Sequence, residues 1–156
     1  MNLDQIDIIK ISDKIYKLYQ LVNNQRQHII LDFQLINSPF GLEKFQNVYY
    51  INWELDYDSR NILKKIDNEI NGLILLSNDK YKSWSWITNI KEKKNFLPLF
   101  KTRVLQSKNK FLVESNISLF DINYKNKMNI TIILDSIWFN EKTKTYGLLW
   151  LINKII

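Results

Sequence analysis

The segment from Asn129 to Ile155 constrains the fold most, because it contains two long apolar runs around a short polar tip. The runs Asn129–Phe139 and Thr145–Ile155 are rich in β-branched and aromatic residues, and the tip near Asn140–Lys144 has an ordinary hairpin length. Apolar residues occupy both faces of the first run, with Ile130, Ile132 and Leu134 on one and Ile133, Ile137 and Phe139 on the other. A sheet with one wet face would alternate apolar and polar residues. The hairpin is therefore predicted to be covered on both sides, by a barrel core within and by a helix, loop or ligand outside.

Strand patterns also dominate the rest of the chain. We predict strands at or near Ile6–Ile11, Lys14–Val22, His28–Ile36, Gln46–Asp56, Lys82–Ile90, Pro98–Gln106, Lys110–Glu114 and Ile117–Tyr124. A single helix is expected over Asp58–Leu73, capped by Asp58 or Ser59. Its apolar stripe is Ile62, Leu63, Ile66, Ile70, Leu73 and Ile74.

The number and spacing of these elements favour a barrel or a sandwich. The 156 residues show no internal repeat, and their three glycines and two prolines leave no room for a long flexible linker. We predict a mainly β fold, a β-barrel of OB-like type with one principal α-helix, forming a single domain over residues 1–156.

Two features bear on the compartment. The chain has no cysteine, which excludes disulfides and fits a reducing environment. The first ten residues carry acids where a signal peptide needs positive charge, and no apolar run reaches membrane-spanning length. We expect a protein that is not secreted and has no membrane partner.

Signals for catalysis are few. The chain has one histidine and contains no glycine-rich phosphate loop, no HExxH motif and no serine nucleophile elbow. Glu54, Asp56 and Asp58 are spaced by two residues, which suits a hard cation, but a solvated strand end followed by a helix cap explains them as well. We therefore expect no enzyme, no catalytic residue, no metal and no cofactor.

The positive charge is concentrated in one segment. Residues 80–110 hold nine basic side chains and one acidic side chain, interleaved with Tyr81, Trp84, Trp86, Phe96 and Phe100. Single-stranded nucleic acid needs cations for its phosphates and flat rings on which its bases stack. On a strand, Trp84 and Trp86 point to the same side and would form one platform. The alternative is that both tryptophans lie in the core and the lysines lie on surface loops without a binding role.

Several stretches resemble the single-stranded DNA-binding proteins of giant viruses, which are large DNA viruses, a family related to the phage-type single-stranded DNA-binding proteins. The resemblance spans residues 15–156. It rests on Ile29–Leu42 with its SPFGL loop, the aromatic-rich strand Asn47–Leu55, the helix Ile62–Ile70, and the closing Ile137-Trp138 and Tyr146-Gly147-Leu148-Leu149-Trp150.

This resemblance implies an OB-fold barrel that holds single-stranded DNA, or RNA, without reading its sequence. In the closing hairpin it points to Trp138, Tyr146, Gly147 and Trp150, with Gly147 leaving room for a ring such as Trp138 and the tip lysines beside the groove. The residues that we expect to bind nucleic acid are Tyr81, Lys82, Trp84, Trp86, Lys91, Lys93, Lys94, Lys101, Arg103, Trp138, Lys142, Lys144, Tyr146 and Trp150.

The setting implied is viral DNA replication, in the host cytoplasm (viral factory) or the virion, with homo-oligomers or viral proteins as further partners. The alternative function is a viral structural, virion or adaptor protein that uses an OB-like barrel for protein–protein contacts. Exposure of Trp84 and Trp86 beside Lys82, Lys93 and Arg103 would favour strand binding, whereas burial of both rings would favour the alternative.

Overall fold

The computed structural model describes residues 5–156, in which β-strands predominate and one α-helix is found, α1 (Tyr57–Ser77). The strands are β1 (Ile6–Lys10), β2 (Ile15–Val22), β3 (Gln25–Gln27), β4 (Ile29–Ile36), β5 (Leu42–Phe45), β6 (Val48–Glu54), β7 (Ser85–Ile87), β8 (Ile90–Lys91), β9 (Leu99–Val104), β10 (Gln106–Ser107), β11 (Lys110–Phe111), β12 (Glu114–Ser115), β13 (Met128–Asn140) and β14 (Thr145–Ile155). Short 3-10 helices occupy Asp79–Ser83 and Leu119–Asp121. The prediction of a mainly β protein with one principal helix is confirmed.

The described chain divides into two compact units. Unit 1 contains residues 5–29, 61–88 and 134–149, and unit 2 contains residues 30–60, 89–133 and 150–156.

In unit 1, paired strands and one face of α1 enclose an aliphatic and aromatic core. Strand β2 pairs with β1, β3 and β13, while β14 pairs in parallel with β7 and places Tyr146 opposite Trp86. The buried apolar side chains are Leu18, Ile29, Leu63, Ile66, Ile70, Ile74, Tyr81, Leu134, Ile137, Phe139, Tyr146 and Leu148.

Helix α1 buries most of the predicted stripe, but Ile62 and Leu73 at its margins are exposed. The helix continues past Gly72 to Ser77. At its start, the Ser59 backbone N–H donates to Asp56 Oδ1 over 2.7 Å. Asp56 is therefore the capping residue, and the prediction of a cap at Asp58 or Ser59 is wrong because the helix begins earlier, at Tyr57.

In unit 2, the strands β5, β6 and β9 form an antiparallel ladder, which β8 extends beyond β9. Strand β9 also meets β14 in parallel at Arg103 and Leu151. The inner side of the ladder is closed by large rings: Trp53 donates from Nε1 to Thr102 Oγ1 over 3.0 Å, and Phe100 lies edge-on to Trp150 at 5.6 Å. On the outer side of the same ladder, the side chains are half-buried or exposed.

A capped 3-10 helix takes the start of one predicted strand, and a second one replaces most of another. Residues 79–83 form a 3-10 helix because the Asn78 side chain accepts a hydrogen bond from the Lys80 N–H. Within the predicted strand Lys82–Ile90, only the residues of β7 and the first residue of β8 are therefore in strands. The predicted strand Ile117–Tyr124 is wrong, since Ser118 caps the 3-10 helix Leu119–Asp121 in the same way.

Within residues 5–156, strand β1 pairs with β2 in unit 1, and strand β5 pairs with β6 in unit 2. Over the same residues, no helix combines the length and apolar character that crossing a membrane requires.

Candidate nucleic-acid interface

The outer side of the unit 2 ladder carries alternating polar and charged side chains. In β9, Phe100, Thr102 and Val104 are buried, while Lys101 and Arg103 are exposed. Pairing places Tyr50 opposite Arg103, Asn52 opposite Lys101 and Glu54 opposite Leu99. Opposed residues of an antiparallel pair share one side of the sheet. The resulting surface, here called the β5–β6–β9 face, consists of Glu43, Phe45, Val48, Tyr50, Asn52, Glu54, Leu99, Lys101 and Arg103.

Tyr50 is the aromatic centre of this face. The Lys101 ammonium lies 4.2 Å from the centroid of the Tyr50 ring, within the range of a cation–π contact. The neighbouring Glu43 carboxylate accepts a hydrogen bond from Asn52 Nδ2 over 2.8 Å, which orients it along the sheet. A half-buried ring with two cations beside it is therefore presented on a rigid sheet.

A cleft of about 460 Å³ adjoins one end of the β5–β6–β9 face. Its lining consists of Pro39, Phe40, Glu54, Lys91, Lys93, Phe96, Leu97 and Leu99. Leu99 of β9 is paired with Glu54 of β6 on one side and with Lys91 of β8 on the other. These three opposed residues line the cleft, and two of them, Leu99 and Glu54, also belong to the face, so the cleft and the face are continuous. We call this space the Phe40–Phe96 cleft.

The loop that carries Phe40 is held rigidly. Ser38 is fully buried; its Oγ donates to the Asn52 carbonyl over 2.6 Å and accepts from the Gly41 N–H over 3.1 Å. Gly41 has a φ of +64°, and a Cβ on it would stand 2.2 Å from the Ile122 carbonyl oxygen. The SPFGL sequence thus folds so that Phe40 projects outward with 62% of its surface exposed.

Phe96 on the other part of the lining is 73% exposed. It ends a tight turn in which its N–H donates to the Lys93 carbonyl over 3.2 Å and Asn95 adopts a φ of +71°. Glu92, which immediately precedes this turn, forms an ion pair with Arg60. An exposed phenylalanine on an anchored turn is a ready stacking surface, since every base offers a π-face.

The cations of unit 2 are available to a ligand. The five predicted cations of this unit are exposed, and none of them forms an ion pair with any residue in the range 5–156: Lys91, Lys93, Lys94, Lys101 and Arg103. The acids on the face and cleft are Glu43 and Glu54. The balance of charge at this surface is therefore positive, as contact with phosphates requires.

The predicted aromatic residues of unit 1 form an interlocked cluster instead. Trp84 and Trp86 do share one side of an extended segment, as predicted, but this side is the half-buried one, while Ser85 and Ile87 are exposed. Trp84 meets the Tyr81 ring edge-on at 5.0 Å, and Trp86 meets the Tyr146 ring at 5.2 Å. The two tryptophans therefore pack on tyrosines rather than forming an open platform.

Three of the predicted rings are buried, namely Tyr81 and Tyr146 in unit 1 and Trp150 in unit 2. Burial, followed by a hydrogen bond with Tyr16, raises the pKa of Tyr81 to about 12, so its hydroxyl stays neutral. A buried ring cannot stack on a base, and we leave these three residues out of the interface.

Of the remaining predicted residues of unit 1, Trp138 is half-buried beside Gly147. A Cβ on Gly147 would stand 2.5 Å from the Ile87 carbonyl oxygen and 3.1 Å from Trp138 Cζ2, which confirms that this glycine makes room for the ring. Lys82 pairs with Asp79 over 2.7 Å, and Lys144 pairs with Glu141, whereas Lys142 is exposed without an ion pair in residues 5–156. Two of these three lysines are therefore already neutralised.

No protein-family model matches the chain, and no curated protein is significantly similar to it. The candidate interface therefore rests on the geometry described above.

Sequence reasoning missed Phe40, Tyr50 and Phe96 as site residues. The alternation of VYYINWE places Tyr50 on the side opposite Ile51 and Trp53, which is a readable signal for an outward ring. The exposure of Phe40 follows from its position between Pro39 and Gly41 in a tight turn. Phe96 lies within the basic segment, but the pattern alone does not separate it from the buried Phe100.

The carboxylates at residues 54, 56 and 58 do not converge. Glu54 lines the Phe40–Phe96 cleft, and Asp56 is used as the helix cap. Within residues 5–156, no group of three or more histidine, aspartate or glutamate side chains is arranged to hold a metal ion.

Proposed function

We propose that this protein binds single-stranded DNA, without sequence preference, along the β5–β6–β9 face and in the Phe40–Phe96 cleft. The observation that carries the proposal is the meeting of two exposed phenylalanines and two unpaired lysines, Lys91 and Lys93, around one cleft. Stacking of a base on an aromatic side chain is worth about 1–3 kcal/mol and tolerates every sequence. Lys101 and Arg103 then continue the positive track beside Tyr50.

The resemblance to the giant-virus family supports the wider proposal. We propose that the strands of this mainly β protein follow an OB-like plan, which is a partly open barrel. The role is then a non-enzymatic one in viral DNA replication, in the host cytoplasm or the virion. RNA is a second strand that the same chemistry would accept, because stacking and phosphate contacts do not read the sugar.

The decisive experiment measures the binding of a fluorescently labelled oligo-dT of about 12 nucleotides by anisotropy. Phe40→Ala and Phe96→Ala are each expected to weaken binding roughly 5- to 150-fold, the equivalent of about 1–3 kcal/mol. Phe120→Ala is the matched control: Phe120 is 71% exposed, but it contacts Phe111, which packs on Tyr49 on the other side of β6. The control is expected to bind like the unaltered protein.

Basic proteins bind many polyanions, so duplex DNA and heparin are titrated in parallel. Single-stranded DNA is expected to bind much more tightly than either. Equal affinity for all three ligands, or equal affinities of the Phe40, Phe96 and Phe120 variants, would refute the proposal.

The apolar lining of the cleft supports a second candidate, a virion or adaptor protein that binds another protein. Pro39, Phe40, Phe96, Leu97 and Leu99 offer a contact for an apolar side chain of such a partner. This function predicts that oligo-dT binding is weak and insensitive to Lys91→Ala and Lys93→Ala.

A further inference from the structure

Unit 1 holds an ion-pair bridge directly over a tryptophan. Lys80 Nζ lies 5.3 Å from the centroid of the Trp84 ring, and Lys144 Nζ lies 5.2 Å from it. Both ammonium groups bind the Glu141 carboxylate, Lys80 through Oε2 at 3.2 Å and Lys144 through Oε1. We call this arrangement the Trp84 bridge.

The backbone around the bridge is fixed from both sides. Lys80 belongs to the 3-10 helix Asp79–Ser83, which Asn78 caps, and Trp84 follows that helix immediately. Glu141 and Lys144 lie in the tip between β13 and β14, where the Asn140 side chain accepts from the Thr143 N–H. The Ser85 N–H donates to the Lys144 carbonyl over 2.9 Å, which ties the tip to the residue after Trp84. The two lysines are thus brought to one ring by two preformed turns.

The side chains of the bridge, in contrast, are in solvent. Lys80, Glu141 and Lys144 are each more than half exposed. The hydrogen bonds from Lys144 and Lys80 hold the pKa of Glu141 below its ordinary value, so the carboxylate is charged at neutral pH. Ion pairs at such exposure are weak, typically below about 1 kcal/mol, and open readily to a competing anion.

The Trp84 bridge has the groups that a nucleotide-binding site needs, with the Glu141 carboxylate in the position of the phosphate. Two ammonium groups share the two oxygens of one anion, as they would share two oxygens of a phosphate. The Trp84 indole beneath them is half-buried against Tyr81, and the part of it that remains exposed is available to contact an aromatic base. Lys91, Lys93, Lys94, Lys101 and Arg103 of unit 2 form no ion pair within residues 5–156, whereas Lys80 and Lys144 share one carboxylate.

We propose that Lys80, Lys144 and Trp84 form a second binding site, for a phosphate that carries an aromatic base, and that Glu141 occupies this site as an intramolecular competitor. A nucleotide, free or at a position within a strand, would displace the Glu141 carboxylate while both lysines keep their place. The site lies within unit 1 and does not depend on the unit 2 interface.

The test compares Glu141→Gln with the unaltered protein by titrating dTMP and following the indole N–H resonance of Trp84 by NMR, assigned with Trp84→Phe. Glu141→Gln is expected to bind dTMP roughly three- to tenfold more tightly, since two weak ion pairs no longer compete. Asp79→Asn is the charge-matched control, because it removes one negative charge from the Lys82 pair in the same segment. Thymidine and inorganic phosphate, titrated separately, distinguish the contribution of the ring from that of the cations, and a 5′-phosphorylated oligo-dT distinguishes strand from free nucleotide.

The gain is expected to disappear when Lys80→Ala is added to Glu141→Gln. It is expected to persist in a Lys91→Ala, Lys93→Ala background, so that failure of the unit 2 interface leaves this result readable. If Glu141→Gln binds dTMP no better than Asp79→Asn, the bridge serves only to fasten the hairpin tip, and the proposal is overturned. If inorganic phosphate alone gains as much as dTMP, the assigned ligand class is wrong.

Discussion

Lys101 and Lys44 each place an ammonium group over a tyrosine of β6, but the two tyrosines, Tyr50 and Tyr49, are adjacent and face opposite sides of the sheet. The distances to the ring centroids are 4.2 Å for Lys101 over Tyr50 and 5.2 Å for Lys44 over Tyr49. The two lysines are thus matched in chemistry and differ in the side of the sheet on which they lie.

This pair gives the first prediction. Lys101→Ala is expected to weaken oligo-dT binding and to reduce the slope of log K against log salt by about 0.7, the value for one phosphate contact on a single strand. Lys44→Ala is expected to leave the slope unchanged. Titrations at several salt concentrations measure both, and equal slopes for the two variants would mean that the strand does not cross the β5–β6–β9 face.

The second prediction concerns the loop that presents Phe40. Gly41→Ala is expected to lower the free energy of unfolding by more than the roughly 1–2 kcal/mol of a left-handed backbone, because its Cβ would also meet the Ile122 carbonyl oxygen. Gly72→Ala is the control within the same chain, since nothing lies within 4 Å of its Cβ position in α1. This change is expected to stabilise the protein by up to about 1 kcal/mol. Urea unfolding compares the two, and a harmless Gly41→Ala would show that the loop is not rigid.

The third prediction is a pH dependence from Asp67 on α1. Burial raises the pKa of this carboxyl, although Thr88 Oγ1 donates to Oδ2 over 2.8 Å and the Trp86 side chain also donates to the carboxylate. The unfolded carboxyl ionises near its ordinary pKa of 3.8, whereas the folded one holds its proton to a higher pH. Its contribution to stability is therefore present below pH 3.8 and is lost as the pH rises through the raised pKa.

Asp67→Asn is expected to remove this loss, because an amide keeps an acceptor for Thr88 without a charge. Asp67→Ala is expected to cost about 1 kcal/mol, since it removes the acceptor of the Thr88 hydroxyl and of the half-buried Trp86 side chain. Urea unfolding between about pH 4 and pH 8 measures both. A stability that rises with pH in the protein but not in Asp67→Asn would contradict the sign of the shift.

The fourth prediction tests the start of α1. Asp56→Ala is expected to lower the free energy of unfolding by about 1 kcal/mol, because it removes the acceptor of the Ser59 N–H. The same hydrogen bond lowers the pKa of Asp56, so its stabilisation is present above the ordinary carboxyl pKa and is lost as the pH falls through the lowered one. Asp58→Ala, which removes an acid of the first turn that is not the cap, is expected to cost less. The reverse order would restore Asp58 as the cap.

The long elements were predictable from sequence because their patterns extend over many residues. Strands β13 and β14 and most of α1 lie where the apolar runs and the helical stripe indicate. Short segments were not predictable, because one side-chain hydrogen bond decides them. The Ser118 side chain caps a 3-10 helix within an apolar stretch that was predicted to be a strand. Asp56 caps α1, although Asp58 and Ser59 also fit the sequence pattern of a capping residue.

The sequence predicted the charged residues of the candidate site better than its aromatic residues. The free cations Lys91, Lys93, Lys101 and Arg103 lie at the proposed surface as the basic segment suggests. Alternation correctly placed Trp84 and Trp86 on one side, but it cannot tell which side faces inward. That depends on Tyr81 and Tyr146, whose contacts with them arise only in the folded chain.

The positions of the five tryptophans have a consequence for spectroscopy. Trp53 and Trp150 are sealed in the core of unit 2, and the other three lie half-buried in unit 1, so the β5–β6–β9 face and its cleft carry no indole. Intrinsic fluorescence would then report the integrity of the cores, and a strand bound over Phe40 and Phe96 would leave the emission almost unchanged. Phe40→Trp would supply the missing chromophore at a rigid, outward-facing position where quenching by a stacked base becomes visible.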